Sequence, residues 1–307
     1  MSRLLTLSDH ALRTALRLRG FESRHVRTGA GTVHLLDARG QGSLPPLLVL
    51  HGFSAASHHY DGVMLRMRPH VGRVLAPDLL GHGLSETPSG GLDPTGIGAA
   101  LVEALGRVLG KPAIVFGNSL GGAAALRLAI ARPDLVAGLF LVAPGGAPMP
   151  PEELAAFVHG FRLESHDQAL DSVDRLFHRP HPFRHVLAWG TRHKLDRPEL
   201  RELLGRARPD DLLRPAELAA LPMPVEVVWG GADRILRGSH LEFFRQHLPA
   251  HARVEVVPHF GHAPHMDHPA ELHRRLLAFA RRATPAERPN SPRDPGPPRL
   301  DGSGTSP

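Results

Sequence analysis

The chain of 307 residues contains no cysteine. That absence excludes disulfides, a thiolate nucleophile and any zinc or iron–sulfur site held by cysteine, and it leaves the redox compartment open. Lysine is almost missing too: Lys111 and Lys194 are the only two, so the formal net charge of +6 rests on arginines dispersed among acidic residues. Aromatic residues make up only 5%, and no basic segment interleaved with aromatics occurs. A solvated positive surface, with no nucleic acid as partner, is the expected use of that charge. No window approaches the roughly 18 consecutive apolar residues of a membrane span. Leu4-Leu5 runs at once into Thr6, Ser8, Asp9 and His10, unlike the apolar core of a signal peptide. Stable membrane insertion is not expected, and a cytoplasmic location is. Leu12, Leu16 and Phe21, with Arg13, Arg17 and Arg19 between them, suit a helix packed on the edge of a domain. Two motifs are also lacking. There is no G-x-G-x-x-G followed by a ribose-binding acid, so a nicotinamide cofactor is not expected. There is no His-Glu-x-x-His, so the 22 histidines are not expected to hold a metal.

What is present is a strand-to-helix turn at Pro112–Gly122. Ala113-Ile114-Val115-Phe116 has the length and content of a buried strand and stops at Gly117. Ala123 to Ala131 is made of strong helix formers and is closed by Arg132-Pro133. Ser119 thus sits in a G-x-S-x-G pattern. A turn this sharp strains its central residue and brings backbone so close that only small residues fit two positions away on either side, as Gly117 and Gly121 do. The serine hydroxyl is thereby presented to a base and a substrate, which makes Ser119 the candidate nucleophile.

The chain around this turn alternates strands and helices. Phe21 to Leu36 reads as a β-hairpin, Leu47 to Leu50 as a strand covered on both faces, and Val74 to Pro77 as another. Helices are expected near Tyr60 to Met67 and over Asp93 to Leu109. After the elbow, Leu135 to Val142, Val225 to Trp229 and Val254 to Val257 read as strands, with helices near Ser239 to His247 and over Pro269 to Arg282. This rhythm predicts an α/β fold with a mostly parallel, doubly wound sheet. Pro148 to Pro222 breaks it: helical in character and without a clear strand, it reads as a lid inserted over the strand ends. The expected organisation is a core of residues 1–147 and 223–283, a helical lid at 148–222 and a disordered tail at 284–307, where Pro, Arg, Asp, Gly and Ser predominate.

Catalytic groups in such a sheet gather in loops at the carboxyl ends of strands. A serine needs a general base, usually histidine. The loop after Val257 holds His259, His262, His265 and His268; a position on a glycine-bearing segment between the last strand and the last helix favours His262, with His265 and His259 as alternates. The group that orients the base is expected from Gly230-Gly231-Ala232-Asp233, since the loop after Val142 carries no acid before Glu152. Asp233 is the favoured carboxylate. Asp78 and His82 are expected to hold their own loop in place, His58 and His59 to begin a helix or face the pocket, and Asn118 to cap or brace the elbow.

Taken together, the order Ser119, Asp233, His262, the Gly117 to Gly121 elbow, the His51-Gly52 pair, the Asp78…Gly81-His82-Gly83…Ser85 segment and the Gly261-His262 turn resemble the α/β-hydrolase superfamily from about Phe21 to Arg282. The resemblance implies Ser119 as nucleophile, His262 as base and then acid, and Asp233 as orienting carboxylate. It further implies an oxyanion hole made by the backbone N–H groups of Phe53 and Leu120, supported by His51, Gly52, Gly117 and Gly121. A serine in the elbow is unlike the haloalkane dehalogenases and epoxide hydrolases of the superfamily, which use aspartate. The elbow and Ala143-Pro144-Gly145-Gly146 look most like carboxylesterases and hydrolases of carbon–carbon bonds. Phe53-Ser54-Ala55-Ala56 departs from the glycine- and proline-rich run of the latter. The implied function is hydrolysis of a small, apolar ester or related carbonyl substrate through an acyl-enzyme, without a cofactor, with ester hydrolysis ranked first. Carbon–carbon cleavage, acyl transfer and a non-catalytic binding role are the alternatives. The arginines and histidines of the lid read as the solvated face of its helices rather than as contacts to an anionic substrate.

Overall fold

The computed structural model describes residues 2–284 except Ala207 and Arg237; the expected disordered tail thus lies outside the described residues, apart from Thr284. A single eight-stranded sheet runs through it: β1 (Glu22–Thr28), β2 (Gly31–Arg39), β3 (Leu47–Leu50), β4 (Arg73–Pro77), β5 (Ala113–Asn118), β6 (Val136–Val142), β7 (Val225–Gly230) and β8 (Arg253–Val257). The spatial order is β1-β2-β4-β3-β5-β6-β7-β8. β2 pairs antiparallel with β1 and with β4, and every other neighbouring pair in the sheet is parallel. The two parallel strands at the centre, β3 and β5, are buried along their whole length, which is why they carry continuous apolar runs and no alternation with polar residues.

Alternation along those strands instead divides two cores. Leu48, Leu50 and Val115 face one side, with Leu101 of α3 (Pro94–Val108), Leu128 of α4 (Leu120–Ala131) and Phe244 of α10 (Gly238–His247). Leu47, Val49, Ile114 and Phe116 face the other, with Leu16 of α1 (Ser2–Leu18), Met64 of α2 (Asp61–Met67) and Leu276 of α12 (Pro269–Ala283). The first helix therefore does pack on the domain, with Leu16 and Phe21 fully buried. Local signals set the boundaries. Asp93 caps α3 by accepting from the Gly96 N–H at 2.8 Å, with Pro94 at the first helical position. Where a helix was expected from Tyr60, a 3₁₀ turn at Ser57–Tyr60 comes first, and the last turn before α12 contains a short α11 (Pro264–Asp267) that alternation did not reveal.

Between β6 and β7 the described residues form helices and no strand: α5 (Pro151–His159), α6 (His166–Asp174), α7 (Arg184–Leu195), α8 (Pro198–Arg206) and α9 (Pro215–Ala219). Ser165 and Gln168 form a reciprocal capping box that starts α6. Phe177, Val173 and Ala188 make a small separate core that also takes in Ala263 of the histidine loop. None of the described helices is long and apolar enough to cross a membrane.

Candidate active site

The elbow has the strain its glycines foretold. Ser119 lies at φ 54° and ψ −118°, a region that costs a non-glycine residue about 1–3 kcal/mol. It persists because its backbone is held on every side. The Ser119 N–H donates to Val142 O at 3.1 Å, and Ser119 O accepts from Gly122, Ala123 and Gly145. A Cβ on Gly121 would collide with Leu50 O, and one on Gly117 would stand 2.5 Å from Gly121 O. The third glycine, Gly122, lies where a Cβ would meet Pro144 at 2.7 Å. Strand, turn and helix are thus fixed by backbone contact.

In the loops after β7 and β8, His262 Nδ1 donates to Asp233 Oδ2 at 2.7 Å, and the Asp233 carboxylate is 0% exposed. Asp233 Oδ1 accepts from the N–H groups of Ile235 and Leu236 at 2.8 and 3.1 Å. With one oxygen taken by backbone, the other is left to hold the histidine ring with its proton on Nδ1 and a lone pair on Nε2. The two alternates are occupied elsewhere. His259 Nε2 bonds Glu271 Oε2 at 2.8 Å. His265 stacks on Tyr60 with ring centres 4.2 Å apart, and its burial lowers its pKa from 6.5 to about 3.

A polar chain joins these loops, and its middle residue escaped the sequence reading. The Gly52 N–H donates to Tyr60 Oη at 3.1 Å, and Tyr60 Oη donates to Asn118 Oδ1 at 2.8 Å. Asn118 Nδ2 in turn donates to Val142 O and to His262 O, at 3.0 and 3.1 Å. Asn118 is therefore a brace rather than a cap. Tyr60, buried at 2% exposure, ties the His51-Gly52 turn to the elbow; being the only tyrosine in the chain was its one signal. His51 pins the same turn from below, accepting from Leu79 N–H on Nε2 and donating from Nδ1 to Gly52 O. Burial lowers its pKa, so it performs this task neutral. Asp78 holds its loop as expected. It accepts from Ser57 N–H, Leu84 N–H and His34 Nδ1, and these bonds, His34's above all, overcome the burial that would raise its pKa. Among the described residues, the N–H groups of Phe53 and Leu120 donate to no protein acceptor.

His58 and His59 lie in the 3₁₀ turn and face Asp9 of α1. Asp9, His58 and His59 bring three possible metal ligands within 4.8 Å of one another. The donor set does not fit a cation. The Ala56 N–H donates to His59 Nδ1 at 2.9 Å, which leaves the ring proton on Nε2, directed to Asp9 Oδ1 at 3.2 Å. The Lys194 ammonium also approaches that oxygen, at 3.7 Å. A metal would have to displace both. Burial, offset in part by Asp9, lowers the His59 pKa to about 4.

Two clefts border this region. The larger, about 320 Å³, opens between α5 and the segment after β7; Met149, Phe157, Phe161, Ile235 and Leu236 line it, with Asp233 at its edge, but neither Ser119 nor His262 does. The Phe53 ring meets Phe161 edge-on at 5.3 Å, joining the turn after His51-Gly52 to the helical segment. The smaller, about 260 Å³, adjoins Ser54–Ala56.

Comparison with known proteins supplies independent information. The sequence profile of the alpha/beta hydrolase family matches residues 47–275. The chain is 31% identical over 242 residues to a pimeloyl-[acyl-carrier protein] methyl ester esterase of Neisseria meningitidis, covering 72% of this chain and 87% of the relative. Among solved structures, 2-hydroxy-6-oxo-6-phenylhexa-2,4-dienoate hydrolase from Rhodococcus superposes with a TM-score of 0.73 at 23% identity, covering 85% of this chain and 99% of that one. Naproxen esterase from Bacillus subtilis superposes with a TM-score of 0.72 at 18% identity, covering 88% and 96%. At such identities the two structures speak for the fold alone.

Proposed function

Because the chain belongs to the α/β hydrolase family, we propose that it is a serine hydrolase that cleaves a carboxylic ester through Ser119, His262 and Asp233. The observation that carries this reading is the His262–Asp233 bond of 2.7 Å to a fully buried carboxylate, made by the loops after β7 and β8 of the sheet whose β5 leads into a strained serine elbow. Held with Nδ1 protonated, the imidazole offers Nε2 to the Ser119 hydroxyl as general base. Ser119 Oγ attacks the carbonyl carbon and His262 takes its proton. The negative charge gathered on the carbonyl oxygen is met by the Phe53 and Leu120 amides, the latter at the positive end of α4. His262 then protonates the departing alcohol, leaving an acyl-enzyme that water, deprotonated by the same imidazole, hydrolyses.

The two amides suit that task because they are donors without a protein acceptor, fixed beforehand by backbone and by Tyr60 and His51. The methyl ester named for the Neisseria relative supports an ester over other carbonyl substrates. The helical segment 148–222 is proposed as the lid, its α5 lining the cleft that Asp233 also lines and its Phe161 on Phe53. A fluorophosphonate probe tests the assignment. Stoichiometric labelling of Ser119, lost in Ser119→Ala and in His262→Ala, is the expected result; a folded wild-type protein that takes up no label rules it out.

A further inference from the structure

The smaller cleft lies outside the proposed catalytic groups. Its walls come from α1, from Ser54–Ala56 directly after Phe53, from the loop after β4 and from the end of α7 with the residues following it. Its charges are unbalanced. Arg13, Lys194 and Arg197 line it against a single acid, Asp9. That acid is already engaged, since Asp9 Oδ1 faces Lys194 at 3.7 Å and both His58 and His59 at 3.2 Å. Arg197 has only a loose neighbour, Glu199, at 3.6 Å. Arg13 has no ion pair among the described residues, and its Nε is buried without an acceptor. Like charges gathered in a recess cost free energy unless a counter-charge joins them, and a planar guanidinium with free N–H groups is shaped for a carboxylate or phosphate.

A second observation concerns His82, which is 2% exposed and lines the same cleft. Its Nδ1 donates to Leu80 O at 3.1 Å, so Nε2 carries a lone pair, and that atom is buried with no partner. A ligand hydroxyl or amide N–H would satisfy it. The His82 ring also touches the Phe53 ring, with centres 5.9 Å apart, so whatever occupies the cleft lies next to the residue whose amide is assigned to the oxyanion hole.

We propose that this cleft is a subsite for an anionic group, a carboxylate or phosphate held by Arg13 and Arg197, with a neighbouring hydroxyl or N–H of the ligand donating to His82 Nε2. The group is carried by the ester itself or by a free anion, and only the first of these rests on the serine-hydrolase reading. It runs against the expectation that the basic residues of the helical segment serve solely as a solvated face.

Two measurements on the full chain decide the matter. The first titrates inorganic phosphate into Ser119→Ala, followed by nuclear magnetic resonance shifts of Arg13 and His82, and needs no activity. Saturable binding is expected, weakened about tenfold or more when Arg13→Gln and Arg197→Gln are added. The second compares kcat/KM for p-nitrophenyl hydrogen glutarate with that for p-nitrophenyl pentanoate, which has the same length but no charge. About a tenfold preference for the charged ester is expected, falling to parity in the double glutamine variant while the neutral ester stays within about twofold. The paired Arg→Lys variant should recover part of the effect, which separates loss of charge from loss of fold. An ester preference that depends on the arginines assigns the subsite to the substrate. Arginine-dependent phosphate binding without that preference assigns it to a free anion. Absence of both overturns the subsite. If neither ester is turned over yet phosphate binding still depends on the arginines, it is the serine-hydrolase reading that fails.

Discussion

The elbow and the helical segment between β6 and β7 are held by different forces. Around Ser119, position is enforced by backbone packed against backbone and by buried polar groups that work uncharged, Tyr60, Asn118 and His51 among them. The helical segment has a small core of its own around Phe177, but its α5 has no buried residue, and arginines add bonds to carbonyl oxygens. Arg192 reaches Leu163 O and Glu164 O, and Arg175 reaches Arg234 O. The first kind of contact tolerates no displacement, because a single methyl would collide. The second yields at little cost, since exposed charged contacts are worth less than about 1 kcal/mol. A proposed chemistry that needs fixed geometry therefore sits in the rigid region, and the proposed choice of substrate in the yielding one. The two regions are also linked: besides the Phe53–Phe161 contact, the N–H groups of His262 and Ala263 both donate to Leu176 O, so the segment steadies the histidine loop.

Substitutions ranked by size would break or sharpen this contrast. Ser119→Ala is expected to lower kcat by about ten-thousand-fold or more with the fold intact, measured by ester turnover beside circular dichroism. A loss of only a few-fold would remove Ser119 from the chemistry. Gly121→Ala is expected to destabilise by more than about 3 kcal/mol in urea, because the new Cβ meets Leu50 and His51 backbone. Gly98→Ala in α3, where a Cβ meets nothing, should instead stabilise by about 0.5–1 kcal/mol. Equal effects at the two glycines would refute the steric account of the elbow. Tyr60→Phe leaves the Gly52 N–H and Asn118 Oδ1 without a partner and should cost about 1–3 kcal/mol. Its kcat should fall more than its KM rises, if the turn after His51 positions an oxyanion donor.

Acid provides a gentler probe. His82 and His265 are both depressed by burial from 6.5 to about 3, so the unfolded chain binds more protons than the folded one between those values. Their contribution to stability is complete above about pH 6.5 and is lost as pH falls toward 3. Urea unfolding at pH 7.5 and pH 5 should show the decline, and His265→Phe, which keeps a ring on Tyr60, should make it shallower. An unchanged slope would mean that His265 is not held neutral. Arg192→Ala should be smallest, within about 0.5 kcal/mol; a large loss there would show that the helical segment is as firmly built as the elbow.

Much of this molecule was legible before any coordinates. The runs at β3 and β5, the glycines around Ser119 and the helix expected from Asp93 are local signals, in which spacing and backbone sterics act over a few residues, and each lies where spacing placed it. The pairing of Asp233 with His262 was also anticipated, because a parallel sheet collects its loops at one end. The sequence by itself thus determined the fold class, the strained turn and the candidate residues on it. Only the tertiary structure decided that Tyr60 links Gly52 to Asn118, that Leu176 carries the histidine loop, and that Arg13 and Arg197, far apart along the chain, line one cleft beside Asp9. Those contacts join residues with no common period and no shared motif. They depend on how helices dock on a finished sheet, which side-chain packing over the whole domain sets and no short window of residues contains.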